Sequence, residues 1–154
     1  PQEKPVLLDW LGTPDRLPHL LNESDFVLVA CDLNSQTTGL IGPQELAAMK
    51  PGGVIINVAR GLVIQERALY QALKDKTIGG AVLDVWYNHV STEEPTAWPS
   101  NLPFHELDNV IVTAHESAAA RGQVERRWQF VASNLKLVIN GSTPKNFVFE
   151  GTQG

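Results

Sequence analysis

The chain has 154 residues, of which 43% are hydrophobic and 19% are charged, so it is long enough for about one domain and apolar enough to bury a core. Its 12 basic and 17 acidic residues give a net charge of −5, which argues against nucleic acid or an anionic membrane as a partner. The single cysteine, Cys31, excludes a disulfide framework and a cysteine-rich zinc site. No apolar run approaches the ~20 residues of a membrane span. We expect a cytoplasmic protein, with any targeting segment lying before Pro1.

Helix and strand patterns alternate through the first third of the chain. Residues 13–21 predict a helix that begins at Pro14, a residue suited to a first helical turn, and that stays short because Pro18 interrupts it. Residues 25–31 form a continuous apolar run with β-branched and aromatic side chains, which is typical of a strand covered on both faces. Residues 43–49 predict a second short helix.

The same alternation continues towards the end of the chain. Residues 53–57 and 80–84 predict two further buried strands, and residues 64–75 predict the helix between them. A loop rich in proline, tryptophan and polar residues runs from about residue 85 to residue 108. Residues 109–113 predict the last strand.

A final helix is predicted over residues 118–140. Its apolar residues recur at spacings of three and four, which predicts that they pack against a sheet. These residues are Val124, Trp128, Val131, Leu135 and Val138. Gly141 is expected to end the helix, and residues 142–154 are expected to form an extended tail.

Strands that alternate with helices imply an α/β fold, a parallel sheet with helices on both faces. Ligands bind such sheets at the carboxyl ends of the strands, so functional residues should follow each strand. All four predicted strands are followed by polar or ionisable groups, and their convergence is stronger evidence than any single residue. These groups are Cys31-Asp32, Arg60, Asp84 and His115-Glu116-Ser117.

Two of these residues suit chemistry on a small acid. The guanidinium of Arg60 matches a carboxylate with two parallel hydrogen bonds, although it could equally bond loop carbonyls. The imidazole of His115 is the side chain most often used as a general acid or base near neutral pH, although a loop histidine is more often a plain surface residue. No histidine pair or Cys/His cluster indicates a metal site.

The roles of Asp84 and of the tryptophans stay open at this point. The carboxylate of Asp84 can cap the following turn, or it can accept a hydrogen bond from an amide of a bound ligand. Trp10, Trp86 and Trp98 can line a pocket, or they can cover an edge of the core. No G-x-G-x-x-G run occurs, so either the fold does not bind a dinucleotide or its phosphate loop and first strands precede Pro1.

Four runs of the sequence resemble the D-isomer-specific 2-hydroxyacid dehydrogenases, in the order and at the spacing of that family. The resemblance covers about residues 15 to 140, and the run from Met49 to Gly61, with its Asn-x-x-Arg-Gly end, is the most specific part. The four runs are LNSQTTGLIG at 33–42, MKPGGVIINVARG at 49–61, GAVLDV at 80–85 and DNVIVTAH at 108–115.

The resemblance implies a Rossmann-like fold that binds NAD. Residues 1–140 would be part of the NAD-binding domain, and residues 141–154 would be a tail that returns towards the substrate domain. Arg60 would bind the substrate carboxylate, and His115 would be the acid/base, with Glu94 as its carboxylate partner. The residues implied in cofactor binding are Cys31, Asp32, Val58, Ala59, Arg60, Asp84, His115, Ser117 and Ala118.

Some positions depart from the pattern of that family. Ala114 and Asp32 stand where the family usually has proline, and a carboxylate at residue 32 could repel the cofactor phosphates. The family glutamate falls five residues after Asp84, which is His89 here, whereas a Glu-Pro pair occurs later, at Glu94. Which residue fills that position affects the substrate class.

The function implied by the resemblance is an oxidoreductase that transfers a hydride between NAD(H) and a small 2-hydroxy or 2-keto acid, as a homodimer. A formate-dehydrogenase-like activity and a catalytically silent NAD-binding module are the alternatives. The 154-residue chain is expected to be inactive by itself, because the phosphate loop and most of a substrate domain are not in it.

Overall fold

The computed structural model describes residues 7–88 and 98–147. The predictions for Glu94 and His89 lie outside the described residues. The chain divides into two units, Pro1–Ser117 and Ala118–Gly154.

Four short strands form a parallel sheet in the first unit. Their order in the sheet is their order in the chain, and residues at the same level, such as Val27, Ile55 and Ala81, lie side by side. All four predicted strands are confirmed, each somewhat shorter than predicted. They are β1 (Phe26–Val29), β2 (Val54–Asn57), β3 (Gly80–Leu83) and β4 (Val110–Val112).

Three short helices precede or connect the first three strands. Helix α1 (Leu17–Glu23) continues a 3-10 turn at Pro14–Arg16 and carries Pro18 in its first turn, where proline is tolerated. Helix α2 (Pro43–Ala48) also begins with a proline. Helix α3 covers Glu66–Lys74, and a 3-10 turn at Phe104–Glu106 precedes β4.

One face of the sheet carries the core of this unit. Alternate side chains of β1 to β3 are buried together with one residue from each of α1 and α2 and three residues from α3. The buried residues that join helices to sheet include Leu21, Val27, Leu46, Ile55, Leu69, Leu73 and Leu83. The helices α1 to α3 therefore pack on a single face.

The opposite face of the sheet is open among the described residues of this unit. Phe26 and Leu28 of β1 are 69% and 62% exposed, and Ile111 of β4 is 63% exposed. The Rossmann-like parallel sheet with helices is confirmed, and α1 to α3 lie on one face of it. The reason is handedness: right-handed crossovers between strands that follow one another in a single direction place every connecting helix on the same face.

The second unit consists of one long helix and the residues after it. Helix α4 spans Gln123–Ile139 and begins after Gly122, so its start lies several residues beyond the predicted one. Gly141 has a φ of +69°, and the amides of Gly141 and Ser142 donate to the carbonyls of Val138 and Leu137. This is a Schellman cap, and it confirms the predicted helix end.

The apolar stripe of α4 is not buried. No residue of the helix is buried, and Trp128 and Leu135 are 65% and 58% exposed. The predicted packing of this stripe against a sheet stays a prediction. The chain after the helix turns back on it, because Asn134 exchanges two hydrogen bonds with the backbone of Lys145, so the described part of the predicted tail is not fully extended.

Candidate functional site

The segment after β2 holds Arg60 in a rigid turn. Asn57, the last residue of β2, is 1% exposed, and its side chain accepts from the amide of Ala59 at 3.0 Å and donates to the carbonyl of Arg60 at 3.0 Å. A buried amide that makes both bonds fixes the backbone on either side of residue 60. Arg60 itself is exposed, and its guanidinium donates to the carbonyl of Ala59.

The turn at Arg60 lies directly against the segment after β3. A Cβ atom placed on Gly61 would approach the carbonyl oxygen of Trp86 to 2.3 Å. Only a glycine allows two backbones to come this close. We call the residues that directly follow a strand the exit of that strand. The exits of β2 and β3 are therefore in backbone contact.

Asp84 follows β3 and bonds the segment after β4. It is 3% exposed. One carboxylate oxygen accepts from the Thr113 hydroxyl at 2.6 Å and from the Glu116 amide at 2.8 Å, and the other accepts from the Ser117 amide at 3.0 Å. These donors belong to the segment after β4 rather than to the turn that directly follows Asp84, and the role of Asp84 in cofactor binding stays a prediction.

The charge of Asp84 is stabilised by the groups that bond it. Burial raises the pKa of this carboxyl, but the nearby hydroxyls of Ser117 and Thr113, together with the amides of Ser117 and Glu116, outweigh burial and lower the pKa to about 2. Asp84 is therefore ionised at neutral pH.

His115 lies between the residues that Asp84 binds. It is exposed, and its φ of +60° places it in the left-handed region, which is uncommon for a residue with a side chain. Thr113, two residues earlier, is bonded a second time, because the indole N–H of Trp86 donates to its carbonyl at 2.9 Å. The backbone on both sides of the imidazole is thus fixed by residues of the β3 exit.

The exit of β1 is a polar loop beside a cavity. Asp32 is exposed, and its side chain accepts from the Asn34 side chain at 2.8 Å. Cys31 is half-buried and lines a cavity of about 600 Å³ together with Trp10, Leu20 and Thr37. This volume lies within the range of small-ligand pockets, about 300–1,000 Å³.

The four strand exits lie at the carboxyl edge of the sheet, as the topology requires. The Val58 amide donates to the carbonyl of Val29, Gly61 contacts Trp86, and Asp84 bonds the β4 exit. Exit residues of β1 to β4 are thus linked by a continuous series of contacts in the first unit. Of the predicted site residues, Ala118 belongs to the second unit, and Glu94 lies outside the described residues.

Sequence reasoning missed two residues that build this edge, Asn57 and Thr113, which it predicts only as the ends of strands. It names Trp86, but it does not decide between a pocket and an edge of the core. The signal available for Asn57 was its place two residues before Ala59 at a strand end, where a short amide side chain commonly bonds its own backbone. Thr113 gives no such signal, since its partner lies 29 residues away.

The described residues contain neither a membrane-spanning helix nor a metal-binding cluster. No helix among residues 7–88 and 98–147 is both long and apolar enough to cross a membrane. The same residues contain no cluster of three or more His, Cys, Asp or Glu side chains able to hold a metal ion.

Comparison with known sequences gives a consistent result. A family model described as D-isomer specific 2-hydroxyacid dehydrogenase, NAD binding domain, matches residues 4–117. The chain is 41% identical to a glyoxylate reductase of Thermococcus gammatolerans over 86% of this chain and 37% of that protein. It is 37% identical to a D-3-phosphoglycerate dehydrogenase of Methanocaldococcus jannaschii over 87% of this chain and 24% of that protein. The chain thus spans well under half the length of either relative.

A solved structure shares the fold. The crystal structure of a D-isomer specific 2-hydroxyacid dehydrogenase from Xanthobacter autotrophicus Py2, in complex with NADPH and MES, superposes with a TM-score of 0.72 at 32% identity. The match covers 88% of this chain and 52% of that one.

Proposed function

Since this chain belongs to the D-isomer specific 2-hydroxyacid dehydrogenase family, whose NAD binding domain it matches, we propose that the full protein is an NAD-dependent oxidoreductase acting on a small 2-hydroxy or 2-keto acid. The observation that carries the proposal is the series of contacts that joins Arg60, Asp84 and the His115 segment at one edge of the sheet. The glyoxylate reductases among the relatives favour a substrate of two or three carbons.

The residues of the strand exits are suited to hold NAD(H). Parallel strands present backbone amides and carbonyls at their carboxyl ends, which is where dinucleotides bind in this class of sheet. The cavity beside Cys31 is large enough for the adenosine portion, and Val58, Ala59 and Ser117 lie on the neighbouring exits. When bound, the cofactor supplies or accepts a hydride at the substrate carbon.

Arg60 and His115 have two different roles in the proposed reaction, substrate binding and proton transfer. Arg60 binds the carboxylate of the substrate through two parallel hydrogen bonds and so orients its second carbon. His115 gives a proton to the carbonyl oxygen as the keto acid is reduced, and takes the proton from the hydroxyl in the reverse direction.

The test is turnover by the full-length protein. We expect oxidation of NADH or NADPH with glyoxylate, hydroxypyruvate or pyruvate. Arg60→Ala should lower kcat/KM by about a hundredfold or more, because the acid loses its orienting group. Arg67→Ala is the matched control: Arg67 is exposed on α3 and should change kcat/KM less than about twofold.

Two other results would replace the proposal. Oxidation of formate without reduction of any keto acid would assign a formate-dehydrogenase-like activity. Tight NADH binding, measured by fluorescence titration, without turnover of any acid would assign a silent NAD-binding module. The exposed carboxylate of Asp32 at the β1 exit favours this second alternative.

The assembly and location of the full protein complete the proposal. The family resemblance leads us to propose a homodimer, and the composition leads us to propose a cytoplasmic protein. Sedimentation equilibrium of the full-length protein tests the first, and a monomer at micromolar concentration would contradict it.

A further inference from the structure

Arg60 stands in a turn whose backbone is anchored on both sides. Before it, the Val58 amide donates to the Val29 carbonyl at 3.3 Å, which continues the pairing of β1 with β2. After it, a 3-10 turn covers Gly61–Val63, and the Val63 amide donates to the Arg60 carbonyl at 3.2 Å. The peptide units between these two anchors need a support of their own.

The side chain of Asn57 provides that support. Its Oδ1 atom accepts from the Ala59 amide at 3.0 Å, and its Nδ2 atom donates to the Arg60 carbonyl at 3.0 Å. Among the described residues, the Ala59 amide has no other acceptor. Asn57 is 1% exposed and Ala59 is 6% exposed, so water has little access to either bond. Both groups are satisfied because the tip of an asparagine side chain carries an acceptor and a donor.

The peptide between Ala59 and Arg60 is enclosed by these two bonds, and its carbonyl holds the guanidinium. The Arg60 Nη1 atom donates to the Ala59 carbonyl at 2.6 Å. The guanidinium forms no ion pair with a carboxylate of residues 7–88 and 98–147, so its remaining N–H groups can make two parallel hydrogen bonds to an acid. The orientation of the guanidinium therefore depends on that of the Ala59 carbonyl, which Asn57 fixes.

We propose that Asn57 is a positioning residue: through the Ala59 carbonyl, it holds the guanidinium of Arg60 in the orientation that binds the carboxylate of the acid. This inference rests on the proposed role of Arg60. An exposed arginine side chain has many rotamers, so ordering it when the acid binds costs entropy. A guanidinium that is already held in place reduces this cost and so strengthens binding.

The first measurement is steady-state kinetics of Asn57→Leu in the full-length protein. Leucine has a similar volume, but it bonds neither the Ala59 amide nor the Arg60 carbonyl. We expect kcat/KM with glyoxylate to fall by about tenfold or more, because the carboxylate of the acid loses an oriented partner. Kd for NADH, measured by fluorescence titration, should stay within about threefold, because the Val58 amide keeps its own bond to β1.

A double-mutant cycle with Arg60 separates positioning from a merely structural role. If Asn57 acts through the guanidinium, Asn57→Leu should lower kcat/KM by less than about twofold once Arg60→Ala is present. If Asn57 acts only on the fold, the same loss of about tenfold should appear with and without Arg60.

Asn109→Leu is the matched control. The Nδ2 atom of Asn109 also donates to a backbone carbonyl, that of Leu73, at 3.1 Å, but Asn109 directly precedes β4 and so lies at the amino edge of the sheet. Its replacement should change kcat/KM less than about twofold. If Asn57→Leu does not fold, Asn57→Asp takes its place. Aspartate keeps the acceptor for the Ala59 amide and loses the donor, and kcat/KM should again fall only where Arg60 is present.

Each outcome decides the question. A loss of kcat/KM that disappears in the Arg60→Ala background, with Asn109→Leu unchanged, supports the proposal. Equal losses in both backgrounds, an equal loss in Asn109→Leu, or a Kd for NADH that rises tenfold overturns it. If the wild-type protein turns over no acid, the proposed function fails. Hydrogen exchange at the Ala59 amide then decides whether Asn57 holds this turn: it should rise about tenfold in Asn57→Leu, and unchanged exchange would overturn that role.

Discussion

Asp84, directly after β3, is a buried carboxylate with three hydrogen-bond donors. Taking a charge out of water is costly, and the cost is offset here only because each donor is aimed at a carboxylate oxygen. The donors are a hydroxyl and two amides from a segment about 30 residues further along the chain. The ionised form of Asp84 therefore stabilises the fold as well as the site.

The lowered pKa of Asp84 predicts a specific dependence of stability on pH. Because its folded pKa is about 2 and the ordinary value is 3.8, the contribution is fully present above about pH 4 and is lost as the pH falls towards 2. Its size is about 2 kcal/mol. Asp84→Asn should therefore lower the free energy of unfolding at pH 7 by at least this amount, and the difference from wild type should shrink on acidification.

Denaturant unfolding of both proteins between pH 7 and pH 3 measures this difference. Asp108→Asn is the control, because Asp108 is paired with Lys76 at the surface and its side chain is 77% exposed, where an ion pair contributes little. If the difference in the free energy of unfolding between wild type and Asp84→Asn stayed constant over this range, the ionised form of Asp84 would not be the source of the stability.

The sequence predicts which residues follow the strands better than it predicts their contacts. Arg60 and His115 could be placed at one edge of the sheet because the carboxyl ends of parallel strands meet there, and this needs no knowledge of distance. The role of Asp84 stayed open because it depends on Thr113 and Glu116, which are remote in the chain. Long-range hydrogen bonds leave no local pattern in the sequence. The bond from the Trp86 indole to the Thr113 carbonyl therefore could not be predicted, because the sequence does not distinguish Trp86 from other loop tryptophans.

At the scale of elements, the turn after β2 lies in close backbone contact with the segment after β3. Gly61 faces the Trp86 carbonyl, and an added Cβ would lie 2.3 Å from that oxygen, which is backbone and cannot swing aside. Gly52, in the turn before β2, has no described atom within 4 Å of an added Cβ. The two glycines thus form a matched pair.

Gly61→Ala should separate the exits of β2 and β3, whereas Gly52→Ala should not. We expect Gly61→Ala to cost about 2 kcal/mol or more of stability and to lower kcat/KM by about a hundredfold, because Arg60 and His115 lose their spacing. Gly52→Ala should be neutral or slightly stabilising. Unfolding curves and steady-state kinetics of the two variants check this, and equal behaviour would show that the contact is not tight in solution.

The start of α3 shows that hydrophobic periodicity alone does not fix where a helix begins. The pattern predicts a helix from residue 64, but α3 begins at Glu66, because Ile64 pairs with Ile41 and the Gln65 amide bonds the Ile41 carbonyl. This pairing keeps residues 64–65 extended. A helical pattern that begins in a paired segment is overruled by contacts across the chain.

At the scale of the molecule, the strand order explains where apolar surface remains. With four parallel strands in chain order, α1 to α3 all lie on one face. The described residues of the first unit leave Phe26, Leu28 and Ile111 exposed on the other. β1 and β4 are the edges of this sheet, and open edges beside apolar surface promote association.

The 154-residue chain alone should therefore self-associate. Replacing Phe26 and Leu28 by lysine should reduce the association. Each chain then carries two positive charges on the exposed face of the sheet, and these repel the same charges on a second chain. Leu7→Lys is the control: Leu7 is 95% exposed but lies outside the sheet. Light scattering against concentration compares the three proteins. If the double lysine variant and Leu7→Lys reduced association equally, added charge alone would be the cause, and the open face would not be the surface through which the copies meet.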